Sequence, residues 1–126
     1  MARVAVVDDS RLARTFAASA LRGHGHEVRE LEPTSLFHVL EALKAYRPDL
    51  MVVDYLMPFC PGLSLIRACS EDDSLNTMRI LVLTAHHEEE ALRLLDSFGV
   101  QRCLHKPVSP DLLVTVVKQI LAPEPS

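Results

Sequence analysis

The sequence predicts an α/β fold: a doubly wound, five-stranded parallel sheet with helices on both faces and strand order 2-1-3-4-5. Three observations carry that prediction. Five short apolar runs rich in Val, Ile and Leu recur along the 126 residues. Segments with helical spacing fill the intervals between them. Strand and helix therefore alternate five times, a pattern that right-handed crossovers close into a parallel sheet.

The first strand spans Arg3–Val7 and stops at Asp8 and Asp9; the helix after it runs from about Ser10 to Leu21 and ends near Gly23. The second strand, Glu27–Leu31, alternates and carries charge, which places it at an edge. The other four runs are nearly continuous in apolar character, as strands covered on both faces are. Leu36, Val39, Leu40 and Leu43 fall at i, i+3, i+4 and i+7 after a Pro33-Thr34-Ser35 start, giving the second helix. Leu50–Val53 is the third strand and roughly Leu63 to Ser70 the third helix. Ile80–Leu83 is the fourth strand. The fourth helix follows with Ala91, Leu94, Leu95 and Phe98 on one stripe, Glu88 to Glu90 at its positive end and Gly99 as its stop. Val100–Leu104 is the fifth strand. The fifth helix opens with Ser109 as N-cap and Pro110 in its first turn, and its stripe is Leu113, Val116, Val117 and Ile120.

Length allows one domain, read as residues 1–121, with 122–126 as a tail or the start of a linker because APEPS is proline-rich. The net charge of −4, from 13 basic and 17 acidic side chains, offers no basic stripe, so DNA binding by this domain is not expected. No apolar run approaches the roughly 20 residues of a membrane span. The start, MARVAVVDD, lacks a signal-peptide pattern. The expected setting is cytoplasmic, with no membrane partner. Cys60, Cys69 and Cys103 form no CxxC pair, and their odd number speaks for reduced, partly buried thiols.

In a sheet of this order, ligands bind beyond the carboxyl ends of the strands, at the switch point. Strand one ends at Asp8 and Asp9, strand three at Asp54 and strand four at Thr84, and strand five is followed by Lys106 and Pro107. One aspartate alone reads as a cap or turn residue. Three carboxylates meeting at one mouth, with a lysine and a threonine opposite, read as a divalent cation site. Oxygen ligands of this kind suit Mg²⁺ (or Mn²⁺). Asp54, from the central strand, lies between the metal pair and the Thr84–Lys106 side. A carboxylate so placed can attack phosphorus to form an aspartyl phosphate.

With these residues in place, the chain resembles the receiver domain of two-component response regulators over nearly its whole length. The matching segments are VVDDSR after the first strand, VVDYLMPFCPG at the third, VLTA at the fourth and HKP after the fifth. The spacing of the aspartate to Met57-Pro58 and Gly62 is the most specific of them. The resemblance implies a flavodoxin-like (βα)5 fold and residue-specific roles. Asp54 is similar to the phosphoacceptor. Asp8 and Asp9 are similar to the metal ligands, joined by Asp54 and the backbone carbonyl of Leu56. Thr84 and Lys106 resemble the groups that contact the phosphoryl. A cis peptide is implied at Lys106-Pro107. The implied donor is a histidine kinase or a phosphotransfer domain. The implied output is a downstream protein target, bound by a surface on helix four, strand five and helix five, with the chain a monomer or a phosphorylation-dependent dimer. Lys118 is the one basic residue of helix five, and Leu112 and Thr115 lie outside its apolar stripe, which fits a protein partner better than DNA.

Three positions depart from the family pattern. Cys103 stands three residues before the lysine, where the family usually places Tyr or Phe. Leu56, two residues after the phosphoacceptor, cannot hydrogen-bond an attacking water, so slow self-dephosphorylation is expected. His86, two residues after Thr84, is a modulating position by place, although HHEEE reads more simply as a solvated helix start.

Other functions fit less well. An aspartyl-phosphate phosphatase needs a second aspartate where Leu56 stands. An FMN binder of the same topology needs a Ser/Thr/Gly-rich loop where the chain has DDSRLAR. A phosphorylation-independent, receiver-like interaction module remains as the alternative, with Cys103 as its motive. No enzymatic turnover is expected beyond phosphotransfer to Asp54 and its slow reversal.

Overall fold

In the computed structural model, residues 2–85, 93 and 96–122 are described. Five strands, β1 (Arg3–Val7), β2 (Glu27–Leu31), β3 (Leu50–Asp54), β4 (Arg79–Thr84) and β5 (Arg102–His105), form one parallel sheet in the order β2-β1-β3-β4-β5. The described helices are α1 (Arg11–Arg22), α2 (Leu36–Tyr46), α3 (Gly62–Glu71) and a C-terminal helix, α4 (Pro110–Leu121), which is the fifth of those predicted. The predicted fourth helix, with Ala91, Leu94 and Leu95, lies mostly outside the described residues, as does His86.

Alternate residues of each central strand feed two apolar layers. Ala5, Val7, Met51, Val53, Ile80 and Val82 pack with Val39 and Leu43 of α2 and Leu65, Ile66 and Cys69 of α3. Val4, Val6, Leu50, Val52, Leu81 and Leu83 pack on the other face with Ala17, Ala18 and Leu21 of α1 and Leu113, Val116 and Val117 of α4. Each fully buried Leu or Val of these layers contributes about 1.5–3 kcal/mol relative to its exposed state. Among the described residues the sheet is thus covered by helices on both faces, and the ends of its central strands are open to polar ligands.

Helix starts fix the loops above those ends. Ser10, Ser35 and Ser109 are N-caps whose side chains accept from the N–H groups of Ala13, His38 and Leu112 at 3.2, 3.1 and 3.1 Å. α3 has no side-chain cap, and its first residue is Gly62. A Cβ there would lie 2.7 Å from the Tyr55 carbonyl and 2.8 Å from that of Asp54. Glycine lets the loop after β3 fold back on itself, and the Gly62 N–H donates to the Tyr55 carbonyl at 2.9 Å.

Three strands differ from their predicted bounds, with β3 ending at Asp54. β4 extends outward to Arg79, paired with Leu50 of β3, and to Thr84, paired with His105 of β5. β5 begins at Arg102 rather than Val100. Its first ladder pair with β4 is Leu81↔Arg102. Val100 is apolar because it packs on the core, not because it belongs to the sheet.

Candidate functional site

Asp8 and Asp9 follow β1, Asp54 ends β3, Thr84 ends β4 and Lys106 follows β5. Topology therefore brings four strand ends to one mouth. Asp8 and Thr84 are buried, the only polar or charged residues buried in the core among those described. Asp9 is exposed at the rim. One carboxylate oxygen from each of Asp8, Asp9 and Asp54 lies within 4.8 Å of the others.

Both carboxylate oxygens of Asp8 have placed donors. Asp8 Oδ1 accepts from the Ser10 N–H at 2.9 Å, and Oδ2 accepts from Lys106 Nζ at 3.1 Å. The same ammonium lies 3.4 Å from Asp54 Oδ1. β4 and β5 carry Lys106 to this point: its N–H donates to the Thr84 carbonyl at 2.7 Å, directly beyond the Thr84↔His105 pair. The Lys106–Pro107 peptide is cis.

The charges set one another's ionisation. Burial pushes the Asp54 carboxyl up from its ordinary value; Lys106 draws it down, Asp8 and Asp9 push it up again, and the balance is upward. For Lys106, burial alone would lower the ammonium, but Asp8 and Asp54 outweigh it and hold the proton on. A carboxyl left high beside two other carboxylates is a group whose ionised form a further cation would favour. The donor set fits a hard divalent ion such as Mg²⁺, which prefers oxygen ligands and few protein carboxylates.

The remaining predicted positions lie around this centre. Leu56 is two residues past β3 and 49% exposed, at the lip of the mouth. Cys103 sits in β5, half-buried, paired in register with Val82 and packed against the layer that holds Met57 and Cys60. Burial raises its thiol, and Asp96 adds to the shift. Cys60 and Cys69 are buried in the same layer.

Two features at the mouth have no counterpart in the sequence reading. Arg14 Nη1 donates to the Asp8 main-chain carbonyl at 2.8 Å. A largely apolar groove of about 480 Å³ runs from Asp8 and Lys106 between α1 and α4, along Phe16, Leu83, Pro107 and Leu113. Neither leaves a periodic signal. The one available hint was Arg14 falling a turn after the Ser10 cap.

Residues 4–118 match the response regulator receiver domain. The chain is 31% identical over 94% of its length to the phosphate regulon transcriptional regulatory protein PhoB of Pseudomonas aeruginosa, and covers 51% of that protein. It is 25% identical over 97% of its length to protein PilH of the same organism, covering 99% of it. Thus it spans about half of one relative and nearly all of the other. Among solved structures, chemotaxis protein CheY4 of Vibrio cholerae is similar with a TM-score of 0.88 at 26% identity, over 96% of this chain and 99% of that one. The fold, the mouth of the sheet and these matches agree: the chain belongs to the response regulator receiver domain family of two-component signalling.

Proposed function

We propose that this receiver domain accepts a phosphoryl group on Asp54 from a phosphohistidine of a histidine kinase or phosphotransfer domain. An Asp54 carboxylate oxygen attacks phosphorus, the P–N bond breaks, and its electron pair returns to the imidazole. One observation carries the reading: the Asp54 carboxylate stands at the mouth between an acidic pair and an ammonium, 3.4 Å from Lys106. Asp8, Asp9 and Asp54, with the Leu56 carbonyl, would hold Mg²⁺ or Mn²⁺, which supplies charge neutralisation for the phosphoryl oxygens. Lys106 and the Thr84 hydroxyl serve the same charge from the other side. The domain turns over no external substrate. Its output is a protein-binding surface on the predicted fourth helix, β5 and α4, where Leu112 is 45% exposed. Among the described residues no helix is long and apolar enough to cross a membrane.

Intact-mass spectrometry after incubation with acetyl phosphate and Mg²⁺ tests this, beside an Asp54→Asn control. One added phosphoryl, absent in the control and without metal, is the expected result. No addition with any donor points instead to an interaction module that works without phosphate. Leu56 presents no hydrogen-bonding group to a water attacking the aspartyl phosphate, so the modified form is expected to persist. Leu56→Asn should release phosphate several-fold faster, followed by the decay of the phosphorylated mass; an unchanged lifetime counts against the role given to this position.

A further inference from the structure

Asp8 is the first residue past β1, so its carbonyl lies beyond the last ladder pairs of that strand, Val7↔Leu31 and Val7↔Val53. A buried carbonyl outside the ladder needs another donor. Arg14 supplies it at 2.8 Å, with a side chain only 11% exposed. The guanidinium is itself held. Its Nε faces Glu30 Oε1 at 3.7 Å, and Glu30 also accepts from Thr15 Oγ1 at 2.9 Å and from Arg22 Nη1 at 3.3 Å. Glu30 belongs to β2, so the edge strand braces the first helix against the mouth. Arg14 stands one turn into α1, its N–H bonded to the Ser10 carbonyl at 2.9 Å. The start of α1 therefore grips Asp8 twice, Ser10 at the carboxylate and Arg14 at the peptide.

We propose that Arg14, braced by Glu30, is a positioning residue for the cation site. It fixes the Asp8 peptide and so the directions of the Asp8 and Asp9 carboxylates, and Glu30 keeps its charge turned away from them. The proposal rests on the cation-dependent chemistry of the preceding section. Two effects of opposite sign make it testable. If Arg14 acted only through its charge, removing a cation beside three carboxylates would tighten divalent binding. If it acts by orienting ligands, removing it loosens binding, and loss of a group that orients metal ligands commonly costs about 10–100-fold in affinity.

The experiment is a titration of the full chain with Mn²⁺ alone, following the paramagnetic resonance of the free ion, at a temperature where a melting scan shows each variant folded. Arg14→Gln is expected to bind Mn²⁺ about tenfold more weakly than the unaltered chain. Arg14→Lys, which keeps the charge and one donor, is expected to fall between the two. Glu30→Gln leaves Arg14 in place and is expected to weaken binding by a smaller factor; it carries the test if Arg14→Gln does not fold. Binding by Arg14→Gln as tight as, or tighter than, that of the unaltered chain overturns the proposal, as does an unchanged affinity in Glu30→Gln. If the unaltered chain itself binds no Mn²⁺, the receiver chemistry falls and this inference with it. Binding by the unaltered chain with equal binding by both variants removes the positioning role alone.

Discussion

The two edge strands of the sheet are held in different ways. β2 carries Glu30, which gathers Thr15, Arg14 and Arg22 from α1, while Arg22 also reaches the Val28 carbonyl at 3.0 Å. β5 carries half-buried Cys103 and Leu104 between exposed Arg102 and His105, and Arg102 meets α4 through Gln119 at 3.2 Å. Among the described residues, β2 is tied to α1 by a charged hydrogen-bond network, while β5 packs its half-buried residues on the core and meets α4 through Arg102. The difference matches the two tasks at the mouth. On the proposed function, the β1–β2 side holds the carboxylates in one geometry, whereas the β4–β5 side carries Thr84 and Lys106 toward the group that Asp54 would accept. Changes of charge should therefore dominate the energetics of the mouth, and changes of packing in β5 should matter less.

The largest expected effect is at the point where the two sides meet. Lys106→Met keeps most of the aliphatic stem but removes the ammonium that bridges Asp8 and Asp54. A buried acceptor, Asp8, and a partly buried one, Asp54, then lose a charged donor, at a cost of about 2 kcal/mol at neutral pH without divalent cations. The loss should shrink as the pH is lowered through the carboxylate range, because protonated carboxyls no longer repel. Millimolar Mg²⁺ should restore part of it, since a ligand bound only by the folded chain adds to its stability. Urea unfolding with and without Mg²⁺ measures both. A variant as stable as the unaltered chain without cation would show that the ion pair contributes nothing net.

Asp54→Asn sharpens the comparison from the other direction. The Asp54 carboxyl is pushed up, by burial first, so the folded chain holds this proton more tightly than the unfolded chain does. Its contribution to stability is then greatest below the unfolded carboxylate value and declines as pH rises through the folded one. Asparagine cannot ionise, so the variant should melt a few degrees higher than the unaltered chain at neutral pH without metal. The gain should vanish in acid and should reverse when Mg²⁺ is added. Melting scans across pH decide it; a variant that melts lower at neutral pH without metal contradicts the direction of the shift.

Much of this arrangement was legible in the sequence, for identifiable reasons. β1 and β2 lie where the apolar runs place them, alternation of strand and helix gives a parallel sheet, and 2-1-3-4-5 is one of the common doubly wound orders. Asp8, Asp54 and Thr84 were visible because an apolar run ends at each of them, and a doubly wound sheet sends such ends to one side. Arg14 and Glu30 were not visible. A side chain that bonds a carbonyl leaves no periodic trace, and Arg14 in a helix reads equally well as a solvated surface residue. The start of β5 was misplaced because Val100 is apolar for packing, while the ladder begins only where β4 offers a partner.

The smallest effect is expected at Cys103. Alanine there removes one sulfur from a half-buried site, so the loss of stability should stay below about 1 kcal/mol. That is less than half the cost expected for Lys106→Met a few residues away, the difference between a lost apolar contact and a lost ion pair. The thiol itself should be quiet. Burial and Asp96 raise Cys103, burial raises Cys60, and burial with help from Asp72 pushes Cys69 up to about 12. Thiolate is the reactive form, so raised thiols react slowly near neutral pH. An alkylating reagent should therefore label the folded chain slowly at all three positions and the urea-unfolded chain quickly, with Cys103 first among the slow sites because it alone is not fully buried. Labelling of Cys103 in the folded chain as fast as in the unfolded chain would mean that β5 opens freely around it. The weak edge would then be weak enough to move without phosphate, and the output surface would not depend on Asp54 alone.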